Sequence, residues 1–272
     1  LDTVADLQAK VVAADNALAY IVSDVAVETG TDDAGTGTLT EQAQLDAYVD
    51  AGVLAVSADN LLAVNAQIRK QQAADGNTDN LDTVADLQAK VAAADNALAY
   101  IVSDVQVETF ALDDVSGGEA VLTTTEQLAA YADAGVRDVT EDNLLAVNAQ
   151  LRLETTAADK DSVADIHAIV GLAGAALDYL VDTVQANTTA PVSGATGSEL
   201  LLADQLAAYE AAGVRDVTAD NLLAVNAQMR LETAAGNKDS VADVQAIVAL
   251  ADAALDYIVS TIAPLNSTAV TN

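Results

Sequence analysis

The stretch Ser57-Ala58-Asp59-Asn60-Leu61-Leu62-Ala63-Val64-Asn65-Ala66-Gln67-Ile68-Arg69 returns almost unchanged as Thr140 to Arg152 and again as Thr218 to Arg230. A chain copied along its length must build the same elements in each copy, and neighbouring copies must bury what one copy leaves bare. A catalytic centre is one constellation made once, so repetition argues for a structural or multivalent role.

Each copy of the stretch follows a Gly-Val pair, Gly52-Val53, Gly135-Val136 and Gly213-Val214, and precedes a longer helical pattern. In the first of these longer patterns Val4, Leu7, Val11, Ala14, Leu18, Ile21 and Val25 alternate spacings of three and four, which predicts a helix over Leu1 to Val25 with one apolar seam. Asp2 or Thr3 is its candidate N-cap, with Asp6 in the first turn. Its copies begin at Leu81, Lys160 and Lys238, giving periods of 80 (81 − 1), 79 (160 − 81) and 78 (238 − 160) residues. The copies are therefore 1–80, 81–159 and 160–237, with 238–272 a partial fourth.

Between the long pattern and the Gly-Val pair lie a variable segment and a short helix. The variable segments, 25–39, 105–122 and 184–200, carry Thr, Gly, Ser and Asp clusters and read as loops. The alternation over Val105 to Phe110, returning through Ala120 to Leu122, fits a strand hairpin as the alternative. The short helix runs from about Thr40 to Ala51 in the first copy, with Thr38-Leu39-Thr40-Glu41 and Thr123-Thr124-Thr125-Glu126 as capping boxes. Gly52, Gly135 and Gly213 stand where a helix ends in a left-handed residue, and Val53, Val136 and Val214 follow as the apolar partner of a Schellman end.

The third helix then starts at once, with Ser57, Thr140 and Thr218 as N-caps and Val56, Val139 and Val217 stapling onto Leu61, Leu144 and Leu222. It closes near Arg69, Arg152 or Arg230, where a cation suits the helix dipole. Asp75-Gly76-Asn77 and Gly236-Asn237 break the chain before the next long helix; the second copy lacks that Gly, so Ala157 to Lys160 either lets the two helices run together or breaks before a cap at Asp161-Ser162, and the break is the expectation. The expected fold is all-α: an elongated tandem array of long, short and medium helices in units of about 80 residues.

Composition narrows the function. Apolar residues make up 52 % of the chain but aromatics only 3 %, so the core is Ala, Val and Leu, and thin cores make neighbouring copies depend on one another. Ten basic residues face 42 acidic ones, a formal charge of −32 spread through every copy. Such a chain repels phosphate backbones, which excludes nucleic acid as a partner. There is no Cys, hence no disulfide or thiol chemistry. The longest apolar run, Ala168 to Leu177, is shorter than the roughly 18 residues a span takes, so no membrane crossing is expected. The chain enters at Leu1 already in repeat phase, which reads as a piece of something longer or a processed product.

No residue set reads as catalytic, cofactor-binding or metal-ligating. His167 is the single His, its counterparts are Gln8, Gln88 and Gln245, and it is expected to be an exposed helix residue of no special use. Tyr20, Tyr100, Tyr179 and Tyr257 share one long-helix position and Tyr48, Tyr131 and Tyr209 one short-helix position; both sets are expected in the core with hydroxyls reaching the surface, against a ladder that binds a glycan. Asn65, Asn148 and Asn226, with Gln67, Gln150 and Gln228 two residues on, read as hydrogen-bonding clasps. The repeated structural motif is completed by Asp59-Asn60, Asp142-Asn143 and Asp220-Asn221. The acid pairs Asp32-Asp33 and Asp113-Asp114 match no calcium loop and read as solvated turns, while Asn187 and Asn266 open glycosylation triplets.

Ala-Gly-Val-x-x-Val-Thr-x-Asp-Asn-Leu-Leu-Ala-Val-Asn-Ala, as in Ala134 to Ala149, resembles helical tandem repeats of very large secreted surface proteins and RTX-type adhesins of Gram-negative bacteria. The resemblance implies an extracellular or cell-surface stalk, filament or matrix component, exported without a cleaved N-terminal signal. The β-sandwich repeats and calcium-binding nonapeptides of many such adhesins are not visible. The expected function is thus a non-enzymatic structural repeat protein whose partners are neighbouring repeats or further copies of itself. The alternative is a multivalent binding module that meets a glycan or surface through its variable loops.

Overall fold

The computed structural model describes residues 3–26, 39–75, 79–105, 122–186 and 200–262. The fold is all-α. Its helices are α1 (Val4–Tyr20), α2 (Glu41–Asp50), α3 (Leu61–Asp75), α4 (Val84–Ser103), α5 (Thr124–Asp133), α6 (Leu144–Leu153), α7 (Val163–Asp182), α8 (Leu202–Ala211), α9 (Leu222–Leu231) and α10 (Val241–Tyr257). α1 and α10 each run on into a one-turn π segment, Ile21–Val25 and Ile258–Ile262. Most of the variable segments, including the hairpin alternative, the acid pairs and both glycosylation triplets, lie outside the described residues.

Local sequence sets the starts of the long helices. Thr3 accepts the Asp6 N–H at 3.2 Å while the Asp6 carboxylate accepts the Thr3 N–H at 2.8 Å, so two orphan donors of the first turn are satisfied reciprocally. Thr83 and Asp86 repeat the arrangement on α4, and Ser162 and Ser240 accept the N–H of Asp165 and Asp243 on α7 and α10. These helices begin three residues later than the repeat boundaries, at Val84, Val163 and Val241, because the preceding residues form the 3₁₀ turns Asp79–Leu81, Ala157–Asp159 and Ala235–Asn237. α6 and α7 are separate helices, divided by the second of these turns.

On the short helices one expected box forms; the other includes Thr38, which lies outside the described residues. Thr123 and Glu126 cap α5 reciprocally. α2 is capped by Thr40, which accepts the Ala43 N–H, and Glu41 is its first residue.

Two compact units divide the chain, one made of 1–139 with 154–168, the other of 140–153 with 169–272. In the first, α3 packs along α4, α5 packs on both, and α2 packs on α1 and its π turn. The seam of α4 is buried along its length, through Leu87, Val91, Ala94, Leu98, Ile101 and on to Val105. α1 carries the same seam but buries only its later half, Leu18, Ile21 and Val25, leaving Val4 73 % and Val11 60 % exposed. In the second unit α9 packs along α10 and α6 against α8. There Leu222, Val225 and Met229 of α9 and Val244, Ile247 and Val248 of α10 are buried.

Two helical stretches, Val163–Asp182 and Val241–Thr261, reach the length and apolar composition of a bilayer span by those two measures alone. Neither shows as an unbroken apolar run, because Asp165, Asp178 and Asp182 punctuate one and Asp243, Asp252 and Asp256 the other.

Candidate functional site

The repeated motif builds a corner. At the end of α2 the Gly52 N–H donates to the Val49 carbonyl and the Val53 N–H to the Tyr48 carbonyl, which is the double closure of a Schellman end. The same pairs form at Gly135-Val136 and Gly213-Val214, and the three glycines have φ of 78°, 76° and 75°. A second left-handed residue follows in each corner, Ala55 at φ 62°, Asp138 at 64° and Asp216 at 62°. Two such turns in quick succession fold the chain from the short helix into the third one.

Asn60 holds this fold from inside. Its carbonyl oxygen accepts the Ser57 N–H at 2.9 Å, and its amide donates to the Ala55 carbonyl at 3.0 Å and to Asp95 of α4 at 2.8 Å. Asn221 does the same with Thr218, Asp216 and Asp252 of α10, and Asn143 accepts the Thr140 N–H at 2.8 Å. The expected N-caps therefore work in reverse. Ser57 and Thr218 give a backbone N–H to the side chain three residues on, the reciprocal half of a capping box with Asn in place of Glu. Asn221 is the residue that flanks α9, and regular helix begins at Leu61, Leu144 and Leu222.

Corner and third helix meet across copies within each unit. A Cβ on Gly135 would stand 2.6 Å from the Leu62 carbonyl oxygen, and one on Gly213 would stand 2.5 Å from that of Leu145. Only hydrogen fits between those backbones. Beside the first contact Gln67 donates to the Asp133 carbonyl at 2.6 Å and Lys70 pairs with its carboxylate; beside the second Gln150 donates to the Ala211 carbonyl at 2.6 Å. Gly52 has the same conformation, yet no atom of the described residues lies within 4 Å of its Cβ position.

The following long helix clasps the back of the corner. Gln88 accepts the Leu54 N–H and donates to the Leu54 carbonyl, both at 3.0 Å, and Gln245 makes the same pair with Arg215. His167, at the equivalent position, accepts the Arg137 N–H at 2.8 Å through Nε2. This corrects the expectation that His167 is an exposed residue of no use: it is partly buried, and Gln and His alternate because each offers an acceptor at that reach. The carbonyls of Asp59 and Asp142 accept the first N–H of α7 and α10, from Val163 at 3.1 Å and Val241 at 3.2 Å.

Behind the corner sits a buried polar chain. The Tyr48 hydroxyl donates to Asn65 Oδ1 at 2.6 Å, and Asn65 Nδ2 donates to Gln44 Oε1 at 2.9 Å. Tyr209, Asn226 and Gln205 repeat it at 2.8 and 2.9 Å. All six residues are at most 1 % exposed, and Asn148 and Tyr131 are as deeply buried. Burial pushes the Tyr48 and Tyr209 hydroxyls well above the usual phenol range, so they remain donors. The two tyrosine sets separate here. Those of the short helices are core, but their hydroxyls end on Asn rather than at the surface; those of the long helices stand open, Tyr20 at 38 %, Tyr100 at 38 %, Tyr179 at 39 % and Tyr257 at 60 %. The long-helix position is off the seam, and the expectation that it lies in the core is corrected.

Among the described residues no three His, Asp or Glu side chains converge as metal ligands. A cleft of about 430 Å³ beside the first corner is lined by Ser57, Asp59, Asn60, Asp95, Lys160 and Asp161, and the Lys160 amine there donates to the Glu154 carbonyl. The arrangement brings two backbones into direct contact, keyed by a glycine and latched by amides. No family model matches the sequence, and neither a curated protein nor a solved structure matches it.

Proposed function

We propose that this chain is a non-enzymatic structural repeat protein, an elongated stalk, spacer or filament element of a cell surface or extracellular matrix. It is built of three-helix units that each add one step of about 80 residues. Its working part is the corner, which fixes the angle between successive copies. The observation that carries this reading is that one contact, glycine against third-helix backbone with a Gln latch beside it, is made twice by equivalent residues, Gly135 with Leu62 and Gly213 with Leu145. An array needs a joint that every copy can both offer and accept.

Acidity supports it, since a charge of −32 on 272 residues keeps such an array soluble and discourages collapse. Partners are then other repeats, within the chain or on other chains. Small-angle X-ray scattering extrapolated to zero concentration tests the shape. A radius of gyration well beyond the roughly 18–19 Å of a compact domain of this length is the expected result. A compact particle, or reproducible turnover of a substrate by pure protein, would overturn the reading.

A further inference from the structure

We propose that the groove beside Tyr100 binds a neutral sugar, which lies with its C–H face on the tyrosine ring and donates a hydroxyl to Gln67. The inference goes beyond the structural reading above, which stands whether or not a sugar binds.

The groove lies where α3, α4 and α5 pack together inside one compact unit, and its volume is about 600 Å³. Sites for small molecules have that size. Its floor is Ala93 and Ala97 of α4 with Ala129 and Ala130 of α5, whose methyl groups make it apolar without filling it. Tyr100 borders the floor at 38 % exposure, and its hydroxyl has no hydrogen bond among the described residues.

Gln67 supplies the fixed polar group. It is 9 % exposed, and its Nε2 donates to the Asp133 carbonyl at 2.6 Å, so Oε1 is the end left over. That oxygen accepts no hydrogen bond among the described residues, yet it is not sealed from solvent, and the groove that Gln67 lines is the opening beside it. A carbonyl oxygen held in this way selects a ligand that donates, because any other would leave it unmet.

The rim adds acceptors. Asn96 is exposed, and its side chain makes no hydrogen bond among the described residues. Glu126 and Asp133 stand beside it with one carboxylate oxygen each engaged, Glu126 Oε2 by Thr123 and Asp133 Oδ2 by the Lys70 ammonium. Their charges are thus answered within the protein, one by the first turn of α5 and the other by Lys70, while their second oxygens remain to accept. Several donors, one apolar face and no net charge describe a sugar. Its hydroxyls donate, and its C–H bonds turn a positive edge to the negative face of the ring. A cation would also meet that face, but the carboxylates that would hold it are already compensated.

The next copy separates what is particular to this groove. At the counterpart positions Leu172 replaces Ala93, Ala175 replaces Asn96 and Ala211 replaces Asp133, while Gln150 and Tyr179 are kept. Leu172 is 58 % exposed on a regular α7, so a leucine at the Ala93 position is compatible with the long helix and would fill the floor. Tyr179 is the internal control.

The test is saturation-transfer NMR on the full chain with maltose, cellobiose, lactose and N,N′-diacetylchitobiose, at low and high salt, and with choline as a cationic probe. The expected result is transfer to the C–H protons of at least one disaccharide, with an affinity that salt leaves unchanged. Tyr100→Ala and Ala93→Leu should each weaken that binding about tenfold or more, and Tyr179→Ala should leave it as it is. Circular dichroism at the unsubstituted level shows that the variants are folded. No transfer to any disaccharide, or transfer to choline in its place, would overturn the sugar. Unchanged binding by folded Ala93→Leu or Tyr100→Ala would overturn the groove, as would a loss with Tyr179→Ala equal to that with Tyr100→Ala.

Discussion

Asn65 shows how much a single side chain does here. It accepts from Tyr48 and donates to Gln44 in a core otherwise made of small aliphatic residues, where an unmet hydroxyl or amide has no water to turn to. Asn65→Ala strands two polar atoms and should cost about 2–4 kcal/mol, while Tyr48→Phe strands one acceptor and should cost about 1–2 kcal/mol. Urea unfolding of the two variants checks the order, and equal losses would mean that the Asn65–Gln44 bond adds nothing to the Tyr48–Asn65 one. That an Asn at this position is a clasp was legible from its place beside the apolar seam, but its partners were not. Tyr48 and Gln44 are 17 and 21 residues away, a separation at which no local pattern links them. Ala55 was invisible for a different reason: an alanine carries no sign of a left-handed backbone, whereas Asp138 and Asp216 at the same place do. His167 misled because variation among copies hides a shared role when two residue types offer the same acceptor.

At the level of helices, starts and stops followed sequence wherever a side chain bonds within a few residues of itself. Glu126 is the clearest case. Its carboxylate accepts the Thr123 N–H at 2.8 Å and the Thr123 hydroxyl at 2.8 Å, and these bonds hold it below the ordinary glutamate value of 4.5. A lowered folded pKa means that its contribution is present above that value and fades as the pH falls through the folded one. The stability difference between the unsubstituted chain and Glu126→Gln should therefore narrow below pH 4.5, read by thermal unfolding at several pH values; a constant difference would exclude the ionised box as its source. The glycine corners separate local from tertiary demands. Gly52→Ala meets only the backbone cost of a left-handed alanine, about 1 kcal/mol, while Gly135→Ala adds a 2.6 Å collision with Leu62 and should lose a further 1–3 kcal/mol or so. Equal losses in chemical denaturation would mean that the Leu62 backbone moves aside. The glycines themselves could be found in the sequence as helix stops. Their second use could not, because a close approach of two backbones leaves no mark except the glycine already explained by its φ.

Across the whole chain, the all-α class was fixed by spacings of three and four that recur in every copy, and by the scarcity of aromatics and β-branched alternation. Both halves of the corner contact, the glycine and the Leu-Ala-Gln face that receives it, are encoded in each copy, at Gly52, Gly135 and Gly213 and at Leu62, Leu145 and Leu223. Joining Gly52 directly to Val136 would remove one copy and still leave a Gly-Val corner ahead of a complete third helix. An insertion or deletion of one whole period would add or remove a copy with its contacts already matched. The number of copies can thus change in whole steps, as beads are added to a string, with no residue having to be chosen anew.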